Sequence, residues 1–286
     1  MRVRIALLAA TWSVSACVLF PSLDDLGGDA GADASPADAV AEPAPDAAPE
    51  ASAVDAALDA PPDADAAPTP FCTEHATATF CADFDESPDA GAGFTSIYLT
   101  DGGVVSLDTG NFSSSPASLL AGSATLASGA SAHAAVVEHT GATPATSVTL
   151  DYALYVDHLP SQGSYVESLA LVFESATQSS IQFNVKTASA EVGEELDAAD
   201  GGKRYVGHAL ASPLATGTWM HVTLALAMTA PRTITASLDG NVVLDHVAMD
   251  AAFTAGPVDL YLGNAYSPGP SDGASLHYDD VVLSVE

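Results

Sequence analysis

The sequence predicts an all-β fold, an antiparallel sandwich of two sheets, for residues 71–286. Short runs in which apolar and polar residues alternate recur along this region, and Gly, Pro, Asp and Ser separate them. No amphipathic stretch of ten or more residues has helical spacing. About ten or more short strands in a region of this length are typical of one sandwich domain.

Four runs each present one apolar face to a predicted core. Because side chains alternate between the faces of a strand, every second residue of a run faces the same way. The inward residues are Val148, Leu150, Tyr152, Leu154 and Val156; Leu169, Leu171 and Phe173; Ile181, Phe183 and Val185; Met220, Val222, Leu224 and Leu226. Gln182, Asn184 and Lys186 are then predicted to face outward.

For the other segments, the sequence predicts one hairpin and two C-terminal strands, and it predicts no strand in two further regions. Residues 232–247 read as a hairpin that turns at Asp239-Gly240, the residue types that a type I′ turn requires. Residues 258–264 and 278–286 read as the closing strands. Residues 108–135 are too rich in Ser, Ala and Gly for an assignment. The acidic stretch around Glu191, Glu194, Glu195, Asp197 and Asp200 is predicted to be a solvated loop.

The N-terminus reads as an export signal. Arg2 and Arg4 precede a short apolar run, and the small residues of Val14-Ser15-Ala16 precede Cys17. This ending resembles the lipobox of bacterial lipoproteins, and the resemblance implies that residues 1–16 are removed and that Cys17 is lipidated. The alternative is an ordinary secretory signal whose cysteine is incidental. A lipid-anchored protein of the bacterial cell envelope, with the outer membrane or cell surface preferred, is therefore expected.

Residues 17–70 are predicted to be a disordered tether that follows the lipidated cysteine. From position 21 the segment consists almost wholly of Ala, Asp, Pro, Gly and Glu, and it contains no basic residue. It has too little apolar surface to offset the entropy lost on ordering, and its prolines interrupt helix. The membrane is thus an expected partner through the lipid anchor, and the tether would hold the domain away from it.

Cys72 and Cys81 are the two cysteines that remain beside Cys17. Export places them in a compartment that permits disulfides, and their separation of nine residues is short enough for a small loop. The alternative of a metal or redox pair lacks the Cys-x-x-Cys spacing and any partner cysteines. We therefore favour a Cys72–Cys81 disulfide.

The C-terminal part resembles a laminin G-like domain, a member of the concanavalin A-like lectin/glucanase jelly rolls. The features that carry the resemblance, over residues 217–286, are Trp219 after a Gly-Thr turn, the Asp239-Gly240 hairpin, Leu262-Gly263 at a strand end, and Asp279-Asp280 before alternating valines. The resemblance implies a two-sheet antiparallel jelly-roll sandwich. It also implies that the opening strand, around residues 80–86, pairs beside the last strand.

The resemblance further implies a structural calcium ion where the first and last strands meet. Asp83 or Asp85 would there approach Asp279 or Asp280, and hard oxygen ligands suit calcium. Four acids brought together without a cation would repel one another. The alternative is that these alternating acids simply face water.

Glycan binding on an outward sheet face is the function that the resemblance favours. Aromatic platforms and planar polar groups suit sugars, and by periodicity Tyr155, Gln182, Asn184 and Tyr261 fit that description. The alternative for each is an ordinary surface residue. The expected partner is therefore a glycan or an envelope protein.

Catalytic motifs are mostly missing from the sequence. Glycosidases of the resembled superfamily need paired carboxylates on a strand, and the nearest pair, Asp83 and Asp85, lies in the opening strand. Glu167 and Glu174 bracket another strand but are seven residues apart. No Gly-x-Ser-x-Gly or His-Glu-x-x-His motif occurs, and the histidines are scattered singly. A net charge of −31 also argues against nucleic acid as a partner.

We therefore expect a binding module without enzyme activity and with no cofactor other than the calcium ion. It would sit on the cell surface and recognise a glycan or a surface partner. The alternatives are a structural or adhesive envelope protein without a small ligand and, less favoured, a polysaccharide hydrolase or lyase.

Overall fold

A computed structural model describes residues 70–100, 102–141, 143–161, 165–175, 178–198, 202–211 and 214–286. The predicted signal, Cys17 and the predicted tether up to residue 69 lie outside these residues. One helical turn, α1 (Phe71–Glu74), precedes the strands. The strands are β1 (Phe80–Ala82), β2 (Ser96–Leu99), β3 (Gly103–Asp108), β4 (Ser118–Ser123), β5 (Ser131–His139), β6 (Ser147–His158), β7 (Val166–Phe173), β8 (Ser179–Lys186), β9 (Ser189–Asp197), β10 (Lys203–Ala209), β11 (Trp219–Ala227), β12 (Thr233–Leu238), β13 (Asn241–Ala248), β14 (Val258–Pro268) and β15 (Ala274–Val285).

The strands form two antiparallel sheets. The eight-stranded sheet has the order β13-β12-β11-β6-β15-β4-β3, with β1 added beside β15. The seven-stranded sheet has the order β10-β9-β8-β7-β14-β5-β2. Consecutive strands pair at the β13, β3 and β10 edges, whereas β15 and β14 pair near the middle with strands from distant parts of the chain. The two sheets form the jelly-roll sandwich that was predicted.

The core lies between the sheets and contains the apolar faces that the alternation predicted. All of the predicted inward residues of β6, β7, β8 and β11 are buried. Tyr278 of β15 reaches across the core, and its hydroxyl donates to the carbonyl oxygens of Ser168 (2.8 Å) and Gly263 (3.1 Å) on the opposite sheet. A buried phenol that is satisfied in this way links the sheets without leaving a polar group unpaired.

The two ends of the described domain lie side by side. β1 pairs with β15, with Cys81 opposite Val282, and Thr79 and Val285 exchange hydrogen bonds next to them. Cys72 and Cys81 form a disulfide with their Cα atoms 5.6 Å apart. The predicted pairing of the first and last strands and the predicted disulfide are both confirmed.

The structure confirms the predicted turn at Asp239-Gly240 and contradicts the predicted acidic loop. Asp239 (φ 49°) and Gly240 (φ 74°) form the predicted tight turn between β12 and β13. The prediction of a solvated loop for the acidic stretch is wrong from Glu191 to Asp197, because these residues belong to β9; Asp200 lies outside the described residues. Glu194 is fully buried there and accepts hydrogen bonds from His208 Nε2 (2.8 Å) and the Asp250 amide (2.9 Å), which satisfies a carboxylate that composition alone assigned to solvent.

The unassigned region 108–135 contains β4 and the start of β5, whose small residues pack closely between neighbouring strands. Among the described residues, no helix is long and apolar enough to cross a bilayer.

Candidate functional site

A groove with a volume of about 430 Å³ crosses the outer face of the seven-stranded sheet. Strands β2, β5, β7, β8, β9, β10 and β14 all contribute to it, so it crosses the whole sheet. Its lining residues are Tyr98, His133, Tyr165, Glu167, Ala170, Val172, Gln178, Ser179, Ser180, Gln182, Glu195, Lys203, Tyr261, Ala265 and Tyr266.

The shape of the groove follows from side-chain size along the strands. Ala170 and Val172 of β7 and Ser180 of β8 place small side chains on its floor, while tyrosines from β2 and β14 stand beside them. The opposite faces of the same strands carry Leu169, Leu171, Phe173, Ile181 and Phe183, which are fully buried in the core. Because side chains alternate between the two faces of each strand, one face forms a groove with polar and apolar side chains, and the other face packs into the core. The packed core keeps the groove rigid.

His133 of β5 has a defined orientation in the groove. Its Nδ1 lies 2.5 Å from the carbonyl oxygen of Ala265 on β14. Because a carbonyl can only accept, Nδ1 carries the hydrogen, and Nε2 of the neutral ring is left as an acceptor. The ring centroids of Tyr98 and Tyr266 lie 4.8 and 5.4 Å from that of His133. A histidine held in this way can accept a proton from a ligand in the groove.

Tyr165 and Tyr266 extend the aromatic wall on the side of β7. Their ring centroids are 6.1 Å apart, and Lys186 Nζ lies 6.0 Å from the Tyr165 ring centroid. Burial raises the pKa of the Tyr165 phenol to about 12, with a further contribution from the negative charge of Glu167. This phenol is therefore a hydrogen-bond donor at neutral pH.

Glu167 of β7 is the most unusual ionisable residue of the groove. It is 8% exposed, and the pKa of its carboxyl is raised to about 8, first by burial and then by the charge of Glu195. At neutral pH this group keeps its proton and can donate a hydrogen bond. Perturbed carboxyl groups in a cleft are a recognised feature of functional sites.

The cations near the groove are already paired. Lys203 Nζ lies 2.9 Å from Asp197 and 3.4 Å from Glu195, and Lys186 Nζ lies 3.0 Å from Glu191. Burial, followed by the hydrogen bond to Glu191, raises the pKa of the Tyr205 phenol; its hydroxyl donates to Glu191 (2.8 Å) and accepts from Asn184 Nδ2 (2.7 Å). These contacts fix the positions of the side chains at the β8–β10 end of the sheet.

The predicted ligand-binding residues divide between the two sheets. Gln182 and Tyr261 line the groove, and Asn184 lies one pair further along the same face of β8, buried beneath Tyr205. Tyr155 is on β6 of the eight-stranded sheet, where its ring centroid is 5.5 Å from those of Trp219 and His277. Periodicity placed it correctly on an outer face, but on the other sheet, so it is not part of this groove.

The predicted calcium residues come together at the junction of β1 and β15. The Asp279 carboxylate accepts from the Ser113 and Ser114 amides (2.9 Å each), and the Asp280 carboxylate accepts from Ser114 Oγ (2.9 Å). The charges of Asp83 and Asp280 help to raise the pKa of Asp85, after burial as the larger cause. Burial and the charge of Asp280 also raise the pKa of Asp279 to about 7.

The carboxylates of this junction are engaged with backbone amides. The Ala117 amide donates to Asp85 (3.1 Å) and the Asp85 amide to Asp83 (3.3 Å). Within the described parts of the chain, no three acidic, histidine or cysteine side chains are arranged to hold a metal ion. The four aspartates lie close together, as the calcium prediction requires. Their carboxylates, however, point at amide and hydroxyl donors of the protein and not at a shared central point, so calcium stays a prediction.

His133, Tyr266 and Glu167 were missed as site residues. His133 lies at the end of the Ser/Ala/Gly-rich stretch that permitted no strand assignment, and Tyr266 follows a register shift in β14 that breaks the alternation. Glu167 was considered only as half of a carboxylate pair. The features of the sequence that could have indicated these residues are one acid, Glu167, and one histidine, His133, each within a largely apolar strand.

No family model matches the sequence, and no curated protein matches it by sequence. Solved structures do match. Endo-β-1,4-glucuronan lyase from Trichoderma reesei has a TM-score of 0.58 at 13% identity, covering 73% of this chain and 96% of the lyase. The PL-14 alginate lyase from Aplysia kurodai has a TM-score of 0.52 at 9% identity, covering 73% and 99%. The cellulose-induced protein Cip1 has a TM-score of 0.50 at 14% identity, covering 72% and 96%.

These similarities support the jelly-roll fold and correct one prediction. The expectation of a protein without enzyme activity is wrong, because structures similar to this chain are those of polysaccharide lyases. That expectation rested on a missing pair of carboxylates, which glycoside hydrolysis needs. Elimination needs a base, an acid and a group that stabilises negative charge, and residue types for all three line the groove.

Proposed function

We propose that this protein is a polysaccharide lyase that cleaves an acidic glycan by β-elimination in the groove of the seven-stranded sheet. The observation that carries the proposal is the placement of the His133 ring, which is held through Nδ1 beside Tyr98 and Tyr266, so that Nε2 is the nitrogen left to accept a proton. Support for the substrate class comes from the names of the similar structures, a glucuronan lyase and an alginate lyase.

The chemistry needs only groups that the groove contains. Nε2 of His133 takes the proton on the carbon next to the sugar carboxylate, and the electron pair of that C–H bond forms a double bond to the neighbouring carbon. The C–O bond at that carbon breaks, and its electron pair goes to the glycosidic oxygen. The Tyr266 hydroxyl supplies the proton for the leaving oxygen.

The negative charge that develops on the sugar carboxylate needs hydrogen-bond donors. The amide of Gln182 and the protonated carboxyl of Glu167 lie on the groove face of adjacent strands and are suited to this role. Donors fixed by the sheet cost little reorganisation when the charge forms.

The test is to incubate the domain with acidic and neutral polysaccharides and to follow the ultraviolet absorbance of the unsaturated product. The proposal expects absorbance to rise with an acidic substrate only. Release of reducing ends without this absorbance would identify a hydrolase and would overturn the proposal.

A glycan-binding module without turnover is the second candidate. The observation that favours it is the shortage of free cations: Lys186 and Lys203 are paired with glutamate and aspartate, which weakens attraction for a polyanion. Binding of a glycan in titration calorimetry, with no product from any substrate, would establish this candidate in place of the lyase.

The proposed location is the bacterial cell surface, with the domain tethered by lipid on Cys17. The support is the lipobox-like sequence and the acidic, proline-rich segment that follows it. Metabolic labelling with a fatty-acid analogue tests the proposal, since Cys17→Ala should abolish labelling and release the protein from membranes. Labelling that persists in Cys17→Ala would refute it.

A further inference from the structure

Glu167 occupies a buried position, where ionisation of a carboxyl group costs free energy. On β7 it pairs across the sheet with Asn184 of β8 on one side and Tyr266 of β14 on the other. Glu167 is 8% exposed and lines the groove, so the small exposed part of its side chain faces the groove, where a ligand would bind. A buried carboxylate normally needs a cation or several donors.

No cation pairs with Glu167 among the described residues. The lysines of the groove face are engaged with other acids, as described above. Arg204 pairs with Asp250, and Arg232 donates to the carbonyl of Met228. The ionisable groups that face Glu167 from its own strand and from the elements packed around it are Tyr165, Tyr266, Tyr261, His133, Tyr98, Lys186, Glu191, Glu195, Lys203 and Tyr205.

A second unpaired polar group lies beside Glu167. Asn184 is 1% exposed; its Nδ2 donates to Tyr205, but its Oδ1 has no hydrogen-bond partner among the described residues. The lone pairs of this unpaired oxygen add negative potential beside the Glu167 carboxyl, which disfavours the ionised form of that carboxyl. The two oxygens of Glu167 can then serve as one donor and one acceptor.

We propose that Glu167 recognises the carboxylate of an acidic sugar as a neutral hydrogen-bond donor. This role rests on the proposed function of the groove and specifies its ligand class. A carboxylic acid and a carboxylate share a short, charge-assisted hydrogen bond, whereas two carboxylates repel each other. Glu167 thus admits an acidic glycan without any cation in contact with it.

The raised pKa of Glu167, about 8, supports this role and gives it a pH signature. Below that pH the group donates to the ligand. Above it the ligand must bring a proton, so affinity for an acidic glycan falls by about tenfold for each further pH unit. Affinity for a neutral glycan lacks this dependence.

The experiment is calorimetric titration with oligoglucuronate and, separately, with cello-oligosaccharide between pH 6 and pH 9.5. The proteins compared all carry His133→Ala, so that elimination does not consume the probe: the parent, Glu167→Gln, and the matched control Glu138→Gln on β5 outside the groove. Glutamine keeps a neutral donor at every pH. The expected result is about a tenfold or larger loss of oligoglucuronate affinity above pH 8 in the parent and in the control, and less than about a threefold change in Glu167→Gln.

Infrared spectroscopy supplies a readout that does not depend on a glycan. At pH 7 the wild-type protein should show a protonated-carboxyl band that Glu167→Gln lacks. Oligoglucuronate binding with the same pH profile in the parent and in Glu167→Gln would overturn the role of Glu167 and leave the groove's function intact. Absence of binding to either glycan at every pH would instead overturn the proposed function and, with it, this role.

Discussion

Nδ1 of His133 and the carbonyl oxygen of Ala265 are 2.5 Å apart, and this contact joins β5 to β14 where the register of the two strands shifts. The bulge turns the Ala265 carbonyl out of the regular ladder and makes it available to a side chain. The contact fixes both the orientation of the ring and the nitrogen that carries the hydrogen. The irregularity in β14 therefore determines which nitrogen of His133 is left to accept a proton.

The first prediction concerns His133 as the base of elimination. His133→Ala should lower kcat by a factor of about 10² to 10⁴, because a positioned general base contributes about that much. The measurement is the initial rate of unsaturated product on the best acidic substrate. His139→Ala is the matched control, since His139 lies on the same strand and pairs with Asp259 outside the groove.

Full activity in His133→Ala would remove His133 from the reaction and leave Tyr98 or Tyr266 as the candidate base. Equal losses in both histidine variants would mean that β5 itself had been disturbed, which a circular dichroism melt of each variant would reveal.

Sequence patterns predicted the sandwich well because alternation reports burial directly. Val148 to Val156 of β6 and Ile181 to Val185 of β8 face the core as expected. The site was harder to predict, because strands far apart in sequence bring its residues together: Tyr98, Glu167 and Tyr266 meet through three separate strands. Period-two alternation also cannot tell which sheet a strand joins, so it could not show that Tyr155 and Gln182 lie on different sheets.

The second prediction concerns Glu167 and stability. Its native pKa of about 8 exceeds the ordinary value of 4.5, so the folded state binds the proton more tightly than the unfolded state does. Stability attributable to this group is therefore present below about pH 4.5 and is lost as pH rises to about 8, by up to roughly 5 kcal/mol. Glu167→Gln removes the titration, so its free energy of unfolding should exceed that of wild type at pH 8.5 by a few kcal/mol.

Denaturant unfolding at pH 4.5 and pH 8.5 checks this prediction, with Glu138→Gln as the control for loss of an acid on the same sheet. A difference in the free energy of unfolding between Glu167→Gln and wild type that is equal at both pH values would show that Glu167 does not titrate between them.

The third prediction concerns the Cys72–Cys81 disulfide. It closes a loop of nine residues that ends within β1, so replacing both cysteines with serine should lower the free energy of unfolding by about 2–3 kcal/mol. The loss should be local to the β1–β15 edge, and amide exchange of Val282 opposite Cys81 should accelerate. Wild type treated with reductant is the control and should match the double variant; an unchanged midpoint in both would show that the β1–β15 pairing holds the segment without the bond.

The fourth prediction concerns calcium at the junction of β1 and β15. The native pKa of Asp279 is raised to about 7, so without a cation its contribution to stability falls as pH rises from about 4 to about 7. A bound calcium ion would reverse this trend, because it favours the ionised carboxylates of Asp279 and its neighbours. The melting temperature at pH 7.5 should then rise when calcium replaces chelator, and the rise should be smaller at pH 5, where protons compete.

Asp279→Asn separates the two states of this cluster. The variant should lose the response to calcium, because it replaces a carboxylate oxygen with an amide nitrogen that cannot bind the ion. Asp245→Asn, an exposed acid on β13, is the control and should keep that response. If wild type melts at the same temperature with calcium and with chelator, and the purified protein contains no metal, the calcium prediction is wrong, and the amide hydrogen bonds to Asp279 and Asp85 satisfy these carboxylates without a cation.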